Sequence, residues 1–167
     1  MNTISQEIDG FRRTPDGKII QGASHTSMVL NHKIRNKVII KAVCDLRKIT
    51  TEFDSIVCCG VSGLMVVPQI SEILQKHIVV ARKENEERYS NFFIEGVVPR
   101  KYIIVDDLIC SGNTIRHILT SMKENCARSE CFGVYCYLPE ECVYAPHPID
   151  FAKEFKASYL NPLPQKT

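Results

Sequence analysis

Ile103-Ile-Val-Asp-Asp-Leu-Ile-Cys-Ser-Gly-Asn-Thr114 carries an apolar run into two adjacent acids and then into a small, glycine-containing turn. Lys101-Tyr-Ile-Ile-Val105 has the β-branched and aromatic composition of a strand. On the far side, Ile115, Ile118, Leu119 and Met122 stand at the i, i+3, i+4, i+7 spacing of one helix face. A turn between the two would point the amides of Cys110 to Thr114 at a helix N-terminus, where the dipole favours negative charge and the Ser111 and Thr114 hydroxyls add donors. Vicinal carboxylates at the strand end, Asp106 and Asp107, can accept from two neighbouring sugar hydroxyls or hold Mg²⁺ through water. The bland alternative is an acidic surface turn capped by Ser111.

Working outward, the rest of the chain alternates strand and helix signals. Val38, Ile39, Ala42, Val43 and Leu46 form one helix face in a pattern starting near Ile34. Phe53 to Cys59 reads as an apolar run bounded by Asp54 and Gly60, the mark of a strand buried on both sides. Gly60-Val-Ser-Gly63 follows as a turn, then Leu64 to Gln75 reads as a helix with Pro68 in or near its first turn. Ile78 to Ala81 and Cys131 to Leu138 read as further strands, with Val134, Cys136 and Leu138 on one face. Residues 84–99 are too polar for a core element and too long for a simple connection, so they read as a lid. Thr14-Pro-Asp-Gly17 signals a turn, with a short strand expected at Lys18 to Gln21. The expectation is an α/β fold with a mostly parallel central sheet covered by helices on both faces.

Composition bounds the function. The 167 residues suit one domain, with a core over about 34–138. Twenty-one basic against nineteen acidic residues leave a charge of +2, which offers no dedicated nucleic-acid surface. Neither a secretory leader nor an apolar run of membrane-span length is evident, which makes the expected location cytoplasmic. The eight cysteines include no C-x-x-C pair. They read as small apolar fillers, the alternative being a zinc site among Cys126, Cys131, Cys136 and Cys142.

The segment from Ile103 to Thr114 resembles the phosphoribosyl diphosphate (PRPP) motif of type I phosphoribosyltransferases: apolar residues, two acids, two apolar residues, then a Ser- or Thr-rich turn with Gly. The resemblance covers roughly Phe53 to Leu138. It implies that Asp106 and Asp107 contact the ribose hydroxyls and that Cys110, Ser111, Gly112, Asn113 and Thr114 cradle the 5′-phosphate. Cys59, Gly60, Val61, Ser62 and Gly63 stand where the family carries its diphosphate loop, and Arg82-Lys83 is similar to the cation pair of the orotate and adenine members. By the same resemblance Arg88, Tyr89 and Ser90 are the lid contacts, and the catalytic set is Asp106, Asp107 and Lys83, with Mg²⁺ as cofactor held indirectly through the two acids.

The implied reaction transfers a phosphoribosyl group from PRPP to a ring nitrogen of a nucleobase, releasing pyrophosphate. Cys110 stands where hypoxanthine-guanine members carry an Asp, which places the turn nearer the adenine, orotate and xanthine types. A hood from residues 11–33 and 138–155 would select the base, and relatives are commonly homodimers. His117, on the helix after the motif, is expected to be exposed. Two other classes stay open: a catalytically silent PRPP or nucleotide sensor of the same fold, and an unrelated doubly wound domain with a fortuitous acidic strand end.

Overall fold

The computed structural model describes residues 26–83, 92–109, 111–138 and 158–160. The elements are α1 (Thr26–Leu30), α2 (His32–Arg47), a 3₁₀ turn (Thr50–Glu52), β1 (Ser55–Cys59), α3 (Gly60–Leu64), α4 (Val67–Leu74), β2 (His77–Ala81), β3 (Ile94–Gly96), β4 (Lys101–Asp106), α5 (Asn113–Asn125), β5 (Glu130–Cys136) and β6 (Ser158–Tyr159). The expected strand–helix alternation is present. The strands form one sheet in the order β3-β2-β1-β4-β5-β6, parallel throughout except for β3, which runs antiparallel to β2.

Period-2 alternation sorts the strand side chains into two cores. Ile56 and Cys58 of β1, Ile103 and Val105 of β4 and Tyr135 of β5 pack under α1, α2 and α4. Val57 and Cys59, Tyr102 and Ile104, and Val134 and Cys136 pack on the other face, against Ile115, Ile118 and Met122 of α5. The α2 residues singled out by their spacing are the buried ones, joined by Ile34. Asn31 caps this helix by accepting from the Lys33 amide at 3.0 Å, so it begins two residues before Ile34. Tyr135 ties α2 to the sheet by donating to Asp45 Oδ2 at 2.9 Å.

Several expectations need correction. Residues 26–33, assigned to the hood, form α1 and the start of α2, because Met28 and Val29 are apolar enough to be buried in the core. The helix expected from Leu64 to Gln75 is broken at Met65 and Val66 into α3 and α4, with Pro68 in the first turn of α4, where a missing amide costs nothing. The supposed turn at Gly60 to Gly63 is itself helical. Within the stretch read as a lid, Ile94 to Gly96 is a strand held by β2, paired Val79 with Gly96 and Ala81 with Ile94. Leu138 lies past the end of β5, where alternation has stopped, and packs with the α2 core rather than beside Cys136. Residues 11–25, the hood residues 139–155 and Cys142 lie outside the described residues. Among the described residues no helix is long and apolar enough to cross a membrane.

Gly96 makes β3 possible. Its φ is +122°, and a Cβ there would sit 2.5 Å from the Ile78 carbonyl oxygen. Gly96→Ala should therefore detach β3 from β2 and destabilise the protein by about 1–3 kcal/mol, measured by denaturant unfolding.

Candidate functional site

The chain runs from β1 outward to β2 on one side and returns to β4 on the other, so the β1/β4 boundary is where the order of connection reverses. Ligands of open α/β sheets bind beyond the carboxyl ends of the strands at such a point. Here the two strands pair only as far as Val57 with Ile104, while β1 continues to Cys59 and β4 to Asp106. Each stays laddered to its outer neighbour, Cys59 to Ala81 and Asp106 to Cys136. A crevice opens between them.

The recess in that crevice, about 200 Å³, is lined by Cys59 and Ser62 from the β1 side, Lys83 beyond β2, Asp106 to Ile109 after β4, and Ser111 to Ile115 at the start of α5. The structure therefore gathers three sequence segments that had been singled out separately. Gly112 turns the chain into α5 with a left-handed φ of +78°, and Asn113 N donates to Ser111 Oγ at 3.3 Å. Arg116 braces the turn, its guanidinium donating to Ser111 O at 2.8 Å.

Asp106 and Asp107 are both buried. Their backbones are fixed from β5, whose extension donates from Tyr137 N to Asp106 O at 3.0 Å and from Leu138 N to Asp107 O at 2.9 Å. Asp106 Oδ1 accepts from the Asp107 amide at 3.0 Å, and Asp107 Oδ1 from the Leu108 amide at 2.8 Å. Burial, and then the adjacent Asp107 charge, hold the Asp106 carboxyl well above the usual carboxylate range, with Lys83 pulling the other way.

The floor of the crevice is braced by Tyr137. Its hydroxyl donates to Ser62 O at 3.0 Å, tying β5 to α3 across β4. The amides one turn on, Met65 N and Val66 N, donate instead to Val61 and Gly63, so the phenol serves a carbonyl that α3 does not use. Gly63 is small of necessity, since a Cβ there would lie 2.6 Å from that of Cys58. The Cys58 thiol is pushed up to about 12 by burial and by the neighbouring Cys59 and Asp106, which suits a packing role. Among the described residues no group of three or more His, Cys, Asp or Glu could hold a metal by itself.

Strand alternation separates the Arg82-Lys83 pair. Lys83 shares the parity of Val79 and Ala81, which face α5, and it lines the recess. A Cβ on Gly60 would lie 3.6 Å from Lys83 Nζ, so Lys83 and the β1 turn are adjacent. Arg82 takes the opposite side, where its Nε donates to Glu95 Oε1 of β3 at 3.0 Å. Val61 is exposed and does not line the recess. Cys110, Arg88, Tyr89 and Ser90 lie outside the described residues. His117, expected to be exposed, is half-buried, with Nε2 at 2.6 Å from the Arg82 carbonyl oxygen. No sequence signal marked it, because its partner lies 35 positions away.

This site and sheet order define a class. The adenine phosphoribosyltransferase of Saccharomyces cerevisiae superposes with a TM-score of 0.61 at 16% identity, covering 93% of this chain and 96% of that one. The orotate phosphoribosyltransferase of Aeropyrum pernix gives 0.58 at 13% identity, covering 77% and 73%. The chain has the type I phosphoribosyltransferase fold, as the motif resemblance implied. Among curated proteins it is similar to the transcriptional regulator GfcR of Methanococcus maripaludis, 31% identical over 101 residues, 56% of this chain and 48% of the regulator. The chain thus spans about half the length of the curated relatives it matches. No protein-family model matches it.

The raised Asp106 carboxyl has a consequence for stability. Its folded pKa exceeds its unfolded value, so the folded state holds the extra proton and the ligand-free protein loses stability as pH rises from about 4 through the folded pKa. Asp106→Asn should raise the melting temperature at neutral pH and flatten that dependence, read by thermal melts from about pH 4 upward.

Proposed function

We propose that the protein is a Mg²⁺-dependent phosphoribosyltransferase that binds PRPP in this crevice and transfers its phosphoribosyl group to a nucleobase. The observation that carries the reading is the convergence of a buried acid pair, a lysine and a hydroxyl-rich helix N-terminus on one recess. Solved structures of the same fold are adenine and orotate phosphoribosyltransferases, which supports it.

The turn at Ser111 to Thr114 takes the 5′-phosphate through backbone amides, the two hydroxyls and the dipole of α5. Asp106 and Asp107 accept from the 2′- and 3′-hydroxyls and orient the sugar. The diphosphate lies between Gly60 to Gly63 and the Lys83 ammonium. The metal would fit as part of the ligand: two carboxylates are too few to hold it alone, and Asp106 and Asp107 would hold it together with the diphosphate. When bound, Mg²⁺ neutralises charge on the departing pyrophosphate.

In the reaction the bond from the anomeric carbon to the diphosphate oxygen breaks, its electron pair leaving with pyrophosphate. A ring-nitrogen lone pair forms the new bond on the opposite face, and the ring N–H proton passes to solvent. The protein stabilises the developing negative charge with Lys83 and loop amides, and the buried acids sit beside the cationic sugar. No covalent enzyme intermediate is required.

One observation favours a second reading. The similarity to transcriptional regulators suits a PRPP sensor in which the same crevice binds ligand without turnover.

Pyrophosphate release from PRPP and Mg²⁺, measured with adenine, hypoxanthine, guanine, xanthine, orotate, uracil and nicotinamide in turn, is expected with one base or a closely related pair. Lys83→Ala should reduce it roughly 10²–10³-fold, the scale of losing one preorganised charge-stabilising group. Calorimetric binding of PRPP without release would select the sensor; absence of binding would reject both readings.

A further inference from the structure

Lys83 is exposed, flexible and carried on an irregular segment just past β2, yet the site requires its ammonium to be aimed. What directs it lies one peptide earlier. The Arg82 carbonyl belongs to the same planar unit as the Lys83 amide and Cα, so fixing that carbonyl fixes where the Lys83 Cα sits and leaves φ as the one backbone rotation that turns its side chain. His117 Nε2 stands 2.6 Å from this carbonyl oxygen. A carbonyl can only accept, so Nε2 carries the proton whatever the state of Nδ1. On the other side of the residue, Arg82 N donates to Phe93 O at 2.8 Å.

His117 lies three residues beyond Thr114 on α5, on the same side of the helix, and both line a recess with Lys83 and Cys59. It therefore references the diphosphate cation to the helix whose N-terminus forms the 5′-phosphate turn. We propose that His117 is a positioning residue: by donating to Arg82 O it locks the Arg82–Lys83 peptide plane and aims Lys83 at the diphosphate half of the site. This rests on the reading of the crevice as a PRPP site.

The test separates aim from packing. Glutamine places an amide nitrogen where histidine has Nε2, and phenylalanine fills the volume without a donor. Affinities for magnesium pyrophosphate and for ribose 5-phosphate are measured by calorimetry on wild type, His117→Gln and His117→Phe, with a thermal melt of each. His117→Phe should weaken pyrophosphate binding about tenfold, the scale of losing an outer-shell orienting bond, and leave ribose 5-phosphate unchanged. His117→Gln should restore pyrophosphate affinity. His117→Asn, whose shorter amide stops short of Arg82, runs alongside in case the phenyl ring unfolds α5, and should behave as phenylalanine does.

Equal weakening of both ligands, no weakening of either, or failure of a folded His117→Gln to restore binding overturns the positioning role while leaving the site reading intact. Wild type that binds neither ligand overturns the site reading and the inference together.

Discussion

The parting of β1 and β4 is the constraint on which the rest of the site depends. Their ladder stops at Val57 and Ile104, although both strands run on, because each is held by its other neighbour. Two strands that diverge leave backbone and side chains without cross-strand partners, and ligand-binding groups can stand there without breaking the core beneath. The groups that line the recess enter from this gap: Cys59 and Ser62 from the end of β1 and α3, the acid pair from β4, Lys83 from beyond β2, and Ser111 to Thr114 from the turn into α5. Tyr137 spans the gap below them, so the walls cannot move independently.

The gap also explains the electrostatics. Asp106 and Asp107 are both buried, and β5 fixes the backbone of each, so the two carboxyls stand side by side away from solvent. Burial next to a like charge is unfavourable in the free protein, and in the proposed PRPP complex the sugar hydroxyls would offset that cost. Such stored strain fits a site shaped for a ligand better than one shaped for stability. The proposed transfer and the sensor alternative would draw on the same arrangement, so a fold shared with transferases and a sequence similarity to regulators sit together without conflict.

Much of this was legible in the chain. The burial of Val38, Ile39, Ala42, Val43 and Leu46 followed from helical spacing alone, and β1, β2, β4 and β5 followed from short segments rich in apolar and β-branched residues. The turn from Ser111 to Thr114 was legible because its parts are consecutive in sequence. Three features were not. Gly96 and the short β3 are invisible to periodicity in so polar a stretch, since their pairing is supplied by β2. The break between α3 and α4 falls at Met65 and Val66, neither of them the glycine or proline that announces a break in sequence. The split of Arg82 from Lys83 was latent in the alternation of β2, but reading it required knowing that Glu95 stood opposite.

The sequence by itself determined the alternation of strands and helices, the buried face of α2 and the stretch from Asp106 into α5 where acids and hydroxyls follow a strand end, because each of these is a local pattern of neighbouring residues. Only the tertiary structure decided that β4 lies beside β1, that Lys83 rather than Arg82 lines the recess, and that Tyr137 and His117 brace it. Those are contacts between segments far apart in the chain, set by sheet order and side-chain reach, and no local pattern encodes them.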